Sequence, residues 1–479
     1  MKHYINFLIL IVLFQVNEAT SQSIYFERTY DTLGFYYANC IKQLPEGGYI
    51  FCGSNYSISN AQDAAIAKID SSGNVVWAKV FGGQNTDGAI SIELCNDSTY
   101  FVFGIRDNIS PQQSDIWVLK LDQNGDTLYT KSILLGAGAN VVRGSVATND
   151  GGYALIGNTD TRGYGMNDFS LIKLNTIGDT SWIKTFGSTQ SELGWAIQQT
   201  NDSGYILVGE TSGFNASVVD IYIVKTDING DTLWTWVSGI PNADFAKSVK
   251  QTGDGGFIVA GMCYDTVGGN YETLLLKFDS EGDLIWEKRL HNLNENTANS
   301  LMVLPDGGFV IGGTIESNSN FYNMYLVRTD SLGDTLWTKD FGGTSNYELG
   351  YSIALTADGG YIIAGSSDMN MTNAAYIVKV DSAGNLSTGI RKVNSQSDFI
   401  VFPNPATSLL NIVNNSGKFQ KDLEYFVYNI QGVEVLKGKL EENFSQSVLD
   451  LASCSSGIYF IQIAINTIQI QSFKICLTH

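Results

Sequence analysis

Histidine, proline and basic residues are scarce in this chain. Its 479 residues include three His, six Pro and 28 Lys and Arg against 48 Asp and Glu, which gives a formal net charge of -20. Only His291 lies away from the two ends, which argues against a histidine-based catalytic triad and excludes an HExxH zinc site, since that motif needs two histidines. No G-x-S-x-G motif and no phosphate-binding glycine loop occurs. The negative charge would repel a phosphate backbone and argues against a nucleic-acid partner.

Cysteine is also infrequent, with six residues and no CxxC pair. This spacing gives no support to a zinc site or a thioredoxin-like site. Cys40 and Cys52 flank a predicted hairpin turn and could be cross-strand neighbours, whereas Cys454 and Cys476 share the C-terminal segment. Both disulfides and buried free thiols are compatible with this pattern, because geometry decides the pairing.

Long apolar runs are missing except at the N-terminus. Residues 7–16 are apolar apart from Gln15, Lys2 precedes them, and small residues follow at 19–21. A membrane-spanning helix needs about 20 apolar residues, roughly twice this length. The pattern predicts a secretory signal peptide over residues 1–22 and no integral membrane segment after its removal.

Glycine, by contrast, is abundant and occurs in a repeated pattern. A turn, which contains glycine in six of the seven cases, precedes an aromatic residue at intervals of 51 to 53 residues, at Tyr49, Tyr100, Tyr153, Tyr205, Phe257, Phe309 and Tyr361. Each interval holds four short β-rich runs separated by turns that contain Asp and Gly. Four-stranded units repeated around an axis are the blades of a β-propeller. The predicted fold class is all-β, with a seven-bladed β-propeller over residues 23–385.

The phase of the repeats predicts how the ring closes. Phe26 precedes Tyr49 by 23 residues, as Trp77 precedes Tyr100, so residues 23–30 form a fourth strand with no earlier strands of their own. The last repeat ends after its third strand. We therefore expect the N-terminal strand to complete the seventh blade and to remove two open sheet edges.

Small residues recur at three positions of every repeat. One glycine lies four residues after each aromatic, where we expect the second strand to end. Another lies in the turn before the fourth strand, where a positive φ is expected. The innermost strands, which converge on the axis, carry Cys40, Ser91, Gly144, Ala196, Ser248, Ser300 and Ser352.

The units DGGYIIAGS and TLWTKDFGG resemble those of secreted β-propeller repeat proteins of the Bacteroidota. The resemblance covers about three quarters of the chain. It implies the fold but no particular activity, since propellers host unrelated functions.

The composition changes after Asn385. Residues 386–399 form a polar linker, and residues 400–479 show the alternating runs of a small C-terminal β-sandwich. This segment resembles the type A C-terminal sorting domain of the type IX secretion system, at Phe402, Pro403, Asn404, Pro405, Gly432, Gly457, Tyr459 and Lys474. The resemblance implies export by the type IX machinery and a protein that is secreted or attached to the outer face of the outer membrane.

Acidic turns invite a metal-site interpretation. Residues 122–126 and 227–231 resemble calcium loops, but they lack the distant Glu of such a site, and Asp and Gly are the residues that hairpin turns demand. We therefore expect no cofactor and no metal, with calcium as the alternative. The sequences of these turns also resemble the repeats of quinoprotein propellers.

The third strand of five repeats carries an acidic residue five positions before a basic one: Asp63/Lys68, Asp115/Lys120, Asp168/Lys173, Asp220/Lys225 and Glu272/Lys277. An odd separation places the two members on opposite faces of a strand. We interpret these residues as structural ion pairs between neighbouring strands or blades.

Two of the four loop sets differ in every repeat, and both lie on one face of the predicted disc. Variable loops on a rigid scaffold build recognition surfaces. The residues that we expect to bind ligand on this face are Arg143, Trp195, Lys247, Tyr351, Tyr164 and Tyr264. The predicted function is a non-enzymatic binding or adhesion module for a glycan or a surface protein. The alternatives are a polysaccharide hydrolase or lyase that uses a carboxylate pair, and a quinoprotein-like propeller.

Overall fold

The chain is built from β-strands in two compact units, residues 1–387 and residues 388–479. The computed structural model describes residues 25–31, 34–56, 62–107, 114–136, 138–216, 218–239, 242–290, 294–317, 321–343, 346–368, 373–386, 399–414, 423–430, 433–441, 444–465 and 468–478. The predicted signal peptide, His291, Gly432 and most of the predicted linker lie outside these residues.

The first unit contains strands β1 to β28. The first half comprises β1 (Phe26–Thr29), β2 (Phe35–Gln43), β3 (Tyr49–Tyr56), β4 (Gln62–Ile69), β5 (Val75–Phe81), β6 (Asp87–Leu94), β7 (Tyr100–Asp107), β8 (Ser114–Leu121), β9 (Thr127–Ile133), β10 (Asn140–Ala147), β11 (Tyr153–Thr159), β12 (Asp168–Leu174) and β13 (Thr180–Phe186). The second half comprises β14 (Glu192–Gln199), β15 (Tyr205–Thr211), β16 (Asp220–Thr226), β17 (Thr232–Val237), β18 (Asp244–Gln251), β19 (Phe257–Tyr264), β20 (Tyr271–Phe278), β21 (Leu284–Leu290), β22 (Asn296–Val303), β23 (Phe309–Glu316), β24 (Tyr322–Thr329), β25 (Thr335–Phe341), β26 (Glu348–Leu355), β27 (Tyr361–Ser367) and β28 (Ala374–Val380).

These strands form seven antiparallel sheets of four strands each. Six sheets use four consecutive strands, from β2–β5 to β22–β25. The seventh has the order β1-β28-β27-β26, with Phe26 opposite Lys379 and Thr29 opposite Tyr376. The predicted pairing of the N-terminal strand with the last repeat is therefore confirmed.

The core lies between the sheets rather than inside any one of them. A separate hydrophobic cluster fills each space between successive sheets, such as the one that joins Leu44 and Ile50 of the first repeat to Trp117 of the second. The space between the seventh and first sheets is filled in the same way, by side chains that include Phe51 and Ile377. Each sheet buries its two faces only against its neighbours, as in a β-propeller.

The two glycine positions have different structural causes. The glycines before the fourth strands, from Gly73 to Gly384, all have φ values between 74° and 92°, as predicted. The glycines after the aromatics do not end the second strand, which corrects that expectation, since Gly53 lies within β3. A Cβ at Gly53 would lie 1.9 Å from the carbonyl oxygen of Tyr37, so the first strand leaves no room for a side chain.

The second unit has strands β29 (Phe399–Phe402), β30 (Leu409–Asn414), β31 (Leu423–Asn429), β32 (Glu434–Lys439), β33 (Gln446–Asp450), β34 (Gly457–Ile465) and β35 (Ile468–Leu477). They form a three-stranded sheet, β29-β30-β33, and a four-stranded sheet, β32-β31-β34-β35. One hydrophobic cluster contains side chains of both sheets, among them Leu410, Ile412, Val427 and Ile461. The two sheets therefore pack face to face in the manner of a β-sandwich.

Candidate ligand-binding channel

The innermost strands of the seven sheets surround an axial channel of about 630 Å³. The predicted column of small residues, from Cys40 to Ser352, lies along its wall. The hydroxyl groups of this column also connect the sheets, because Ser352 Oγ accepts a hydrogen bond from the amide of Ile41 at 3.3 Å, and Ser248 Oγ accepts one from Leu301 at 3.1 Å. Small side chains thus keep the channel open and join neighbouring inner strands.

Each innermost strand contains a β-bulge at the same position, where one residue is skipped in the pairing with the second strand. The skipped residues all line the channel and are called the bulge ring here: Asn39, Ile90, Arg143, Trp195, Lys247, Asn299 and Tyr351. A bulge redirects a side chain out of the regular strand alternation. The bulge ring contains four of the six residues predicted to bind ligand, and the bulge is the local feature that brings them together.

Trp195 lies between two cations of the bulge ring. The Arg143 guanidinium carbon is 4.0 Å from the centre of the Trp195 ring, and the Lys247 ammonium nitrogen is 3.2 Å from it. The indole nitrogen donates to Glu210 at 2.8 Å, and the same carboxylate lies 3.7 Å from Lys247. The Trp195 ring therefore serves as a support for two positive charges.

Burial lowers the pKa values of both cations. The pKa of Lys247 falls to about 8 because its ammonium group is desolvated; Glu210 opposes the shift and Arg143 adds to it. Burial also lowers the pKa of Arg143, again against the attraction of Glu210. Two partly desolvated positive charges side by side would gain from an anionic partner, which would restore the lost interactions.

The opposite end of the channel carries a second charged group that the sequence analysis did not single out. Lys42 forms an ion pair with Glu93 at 3.2 Å, and Ser145 donates to Glu93 at 2.8 Å. Burial, followed by repulsion from Lys42, lowers the pKa of Lys250. Lys42 and Lys250 come three residues after a bulge-ring residue, so an alignment of the repeats could have revealed them.

The channel wall is thus positive in a strongly acidic protein. Four basic side chains line it: Lys42, Arg143, Lys247 and Lys250. Glu93 and Glu210 each contact one of these lysines, and no Asp or Glu within the described part of the chain is among the lining residues. The charge of the channel is opposite to the net charge of the chain.

The three predicted tyrosines occupy different positions. Tyr351 lines the channel, with its hydroxyl 3.1 Å from Ser366. Tyr164 lies between β11 and β12 and is 79% exposed. Tyr264 ends β19 and packs against Tyr271, with ring centres 5.3 Å apart. Tyr164 and Tyr264 are not among the lining residues, so their predicted role remains a prediction.

The repeated basic residues of the third strands form ion pairs, but not with the acidic residues five positions earlier. Lys173 and Lys225 each lie 2.8 Å from an acidic residue in the first turn of the same sheet, Asp150 and Asp202 respectively. Lys277 pairs in the same way at 3.0 Å. The acidic members of the predicted pairs begin the third strands, at the other end of the sheet.

The calcium-like turns are hairpin turns in the structure. Asp122 Oδ1 accepts hydrogen bonds from the amides of Asn124 and Asp126, both at 2.8 Å. Asp227 accepts bonds from the equivalent amides at 2.9 and 2.8 Å. These carboxylates therefore stabilise their own turns.

Cys40, Cys52, Cys95, Cys263 and Cys476 are free thiols. Cys40 and Cys52 are opposite each other in the β2–β3 register, which confirms that they are cross-strand neighbours.

The C-terminal motif is connected to the last strand. The Asn404 side chain donates to the carbonyl of Lys474 at 2.8 Å and accepts from the amide of Cys476 at 2.9 Å. The amide of Ala406 donates to the carbonyl of Cys476 at 2.8 Å. Pro403, Asn404 and Pro405 thus form a segment that is fixed to the edge of β35.

The other described motif residues differ in exposure. Tyr459 is buried, and its hydroxyl donates to the carbonyl of Ser455 at 2.8 Å. Gly457 begins β34, and the Lys474 side chain is exposed. Tyr459 thus belongs to the core of the second unit, whereas Lys474 is accessible to a partner.

Comparison with known proteins agrees with both units. Residues 400–476 match the family of secretion system C-terminal sorting domains. The C-terminal segment is therefore a sorting domain, and the chain is directed to secretion or to the cell surface. No protein of the curated set matches the sequence.

Solved structures resemble the propeller unit at low sequence identity. Polysaccharide lyase Uly1 is similar with a TM-score of 0.51 and 10% identity, over 76% of this chain and 98% of that one. The Pan2 WD40 domain of Neurospora crassa gives 0.47 and 10%, over 74% and 91% of the two chains. The β-propeller domain of the Trilobed protease from Pyrococcus furiosus gives 0.43 and 11%, over 74% and 98%. At such identities a likeness concerns the fold alone.

Within the described ranges, no helix is long and apolar enough to cross a membrane. Among the same residues, no group of three or more His, Cys, Asp and Glu side chains is placed to hold a metal ion.

Proposed function

We propose that this protein is an exported seven-bladed β-propeller, closed by its N-terminal strand, that binds an acidic glycan at the bulge ring. The observation that carries the proposal is the placement of Arg143 and Lys247 on the Trp195 ring, at one position in three successive blades. The type IX machinery would deliver the propeller to the outer face of the outer membrane or to the medium.

The geometry favours an anionic group over a neutral sugar. A neutral sugar stacks on a free aromatic face, but the Trp195 ring is already in contact with two cations. Carboxylate or sulfate groups would instead pair with Arg143 and Lys247, and the arginine could bind a carboxylate in a bidentate manner.

The shape of the site favours a chain of sugars over a protein surface. A concave channel of about 630 Å³ has the size of a small-molecule site, whereas protein partners usually meet flatter surfaces. Tyr351 and Asn299 on the same ring would contact the sugar rings and their hydroxyl groups.

Binding of the purified protein to polygalacturonate and to a neutral glucan tests the proposal. We expect binding to polygalacturonate that weakens as salt is added, and none to the neutral polymer. Lys247→Met should weaken binding about tenfold or more, because it removes a charged contact and preserves the length of the side chain. Ile90→Val, an uncharged change in the same ring, is the matched control.

Measurement of new sugar ends in the same samples tests whether the protein binds the glycan without cleaving it. A buried lysine with a lowered pKa beside an arginine is also suited to proton abstraction, which is the specific observation in favour of a lyase. Release of unsaturated or reducing ends that stops in Lys247→Met would replace the binding module with an enzyme. Equal binding to both polymers would contradict the acidic-glycan proposal.

A further inference from the structure

Pairs of polar side chains meet where each of the first six sheets adjoins the next one. One member begins a third strand and the other begins the first strand of the following sheet. Parallel bridges join the residues just before them at three of these junctions, as between Asn167 and Ser191. The six pairs are Asp63/Asp87, Asp115/Asn140, Asp168/Glu192, Asp220/Asp244, Glu272/Asn296 and Asn323/Glu348.

The pairs differ in charge. Three contain an asparagine and carry one negative charge, whereas the other three contain two acidic residues. Arg106 lies 3.5 Å from Asp87 and partly neutralises one of these. None of the ion pairs among the described side chains involves Asp168 or Glu192. That junction therefore has two carboxylates and no positive side chain to balance them.

Asp168 and Glu192 are both fully buried. Oδ2 of Asp168 accepts hydrogen bonds from the amides of Tyr164 and Gly165 at 3.0 and 3.2 Å. Oδ1 of Asp168 is buried as well and has no hydrogen-bond donor. A buried charged oxygen without a partner is costly, so this atom indicates a missing ligand.

The unpartnered oxygen faces Glu192 across Gly187. A Cβ at Gly187 would lie 2.1 Å from Asp168 Oδ1 and 2.4 Å from Glu192 Oε2, so the two oxygens are at most about 4.5 Å apart. One calcium ion, with oxygens at about 2.3–2.6 Å, can bind two oxygens at this separation. Glycine is required here because the two carboxylates occupy the space of its side chain.

The same geometry recurs two sheets earlier. A Cβ at Gly82 would lie 1.9 Å from Asp63 Oδ1 and 2.9 Å from Asp87 Oδ2, and Asp63 Oδ1 also has no donor. Both glycines follow the last residue of a fourth strand, Phe81 or Phe186. The arrangement of a glycine beside two carboxylates therefore occurs at equivalent positions of two repeats.

We propose that the Asp168/Glu192 junction binds a calcium ion that joins the third and fourth sheets. Both side-chain donors are carboxylate oxygens, which suit a hard cation with irregular coordination. The remaining ligands would be main-chain oxygens and water. This site differs from the calcium-like turns, and it departs from the expectation, made from the sequence, that the protein has no metal.

Calcium binding to the purified full-length protein, stripped with a chelator and returned to calcium, tests the proposal. We expect saturable binding and a rise in the unfolding temperature of about 3–4 °C at a hundredfold excess over Kd. Asp168→Asn should remove one bound calcium ion and abolish this rise. Glu272→Gln, at a junction that contains an asparagine, is the matched control and should retain the ion.

Three results would overturn the proposal. The first is no calcium binding at millimolar concentration, and the second is binding that Asp168→Asn does not change. The third is an unfolding temperature that does not change with calcium but rises as the pH is lowered. That result would mean that the two carboxyl groups share a proton. If Asp168→Asn fails to fold, the proposal is tested in the unmodified protein by measuring hydrogen exchange of the Tyr164 and Gly165 amides with and without calcium. Calcium should slow it, and an unchanged rate would contradict the site.

Discussion

The N-terminal strand should stabilise the whole propeller because it contacts two sheets at once. β1 pairs with β28 in the seventh sheet, while the ring of Tyr30 lies 5.4 Å from Phe51 in the first. The Tyr30 hydroxyl also donates to the carbonyl of Gly73 at 2.9 Å. Phe26 and Tyr30 are both buried, so loss of this segment would separate the seventh sheet from the first.

Tyr30→Ala is a measurable form of this perturbation. Removing a buried aromatic ring costs about 3–5 kcal/mol, whereas Tyr30→Phe loses only one hydrogen bond and costs about 1 kcal/mol. A unit of about 360 residues has an unfolding entropy near 0.75 kcal/mol/K, so we expect the unfolding temperature to fall by about 5 °C and 1–2 °C respectively.

Differential scanning calorimetry of the purified protein measures both variants. Deletion of residues 23–31 should lower the unfolding temperature further than Tyr30→Ala, since it also removes Phe26 and four register pairs. Thr29→Ala, on the same strand, is the control for a change of residue alone. An unfolding temperature that the deletion leaves unchanged would refute the reasoning that β1 closes the ring.

Three further predictions concern the pH dependence, the turns and the sorting domain. Burial would raise the pKa of Asp150, but the hydrogen bonds that its carboxylate accepts from Lys173, Thr148 and the amide of Gly152 together outweigh this and lower the pKa to about 2. The stabilising effect of the Asp150 carboxylate is therefore present above pH 4 and is lost as the pH falls towards 2. When the free energy of unfolding is measured against pH, the values for Asp150→Asn and for the unmodified protein should become equal near pH 2. Gly125→Ala should destabilise more than Gly255→Ala in urea titrations; both have positive φ, but only at Gly125 would the Cβ meet a tryptophan ring, at 2.8 Å. Equal losses would show that the ring contact is unimportant. Asn404→Ala should lower the stability of the C-terminal unit by about 1–2 kcal/mol and reduce secretion, as measured by protein in the medium; normal secretion would contradict a sorting role for this contact.

The proposed site also predicts a pH dependence of binding. Lys247, with a pKa of about 8, is charged at pH 7 and loses its charge as the pH rises, so binding to polygalacturonate should weaken between pH 7 and 9. Lys247→Arg should retain binding at pH 9, because arginine stays charged. Calorimetric titration at both pH values checks this, and equal weakening of both proteins would assign the effect to another group.

Much of the fold could be predicted because it depends on local patterns that repeat. The seven turn glycines have the positive φ values expected of them, and the position of Phe26 relative to Tyr49 predicted the pairing of β1 with β28. The requirement for glycine at position 53 has a different cause from the one predicted, because a carbonyl oxygen of the neighbouring strand occupies the space of a side chain. The spacing of a repeat shows that a residue is constrained, but it does not show by which atom.

The candidate site also has features that the sequence predicts and features that depend on the tertiary structure. The sequence alone determined the number of repeats, the class of each strand, the sorting motif and the positions where the repeats stop resembling one another, because all of these follow from period and composition. Only the tertiary structure decided that the bulge residues face one channel, that Arg143 and Lys247 lie against Trp195, and that Asp168 meets Glu192. Such contacts join residues of different sheets, 52 positions apart along the bulge ring and 24 apart for Asp168 and Glu192. Their distances depend on how the blades pack, and packing is a property of the whole ring.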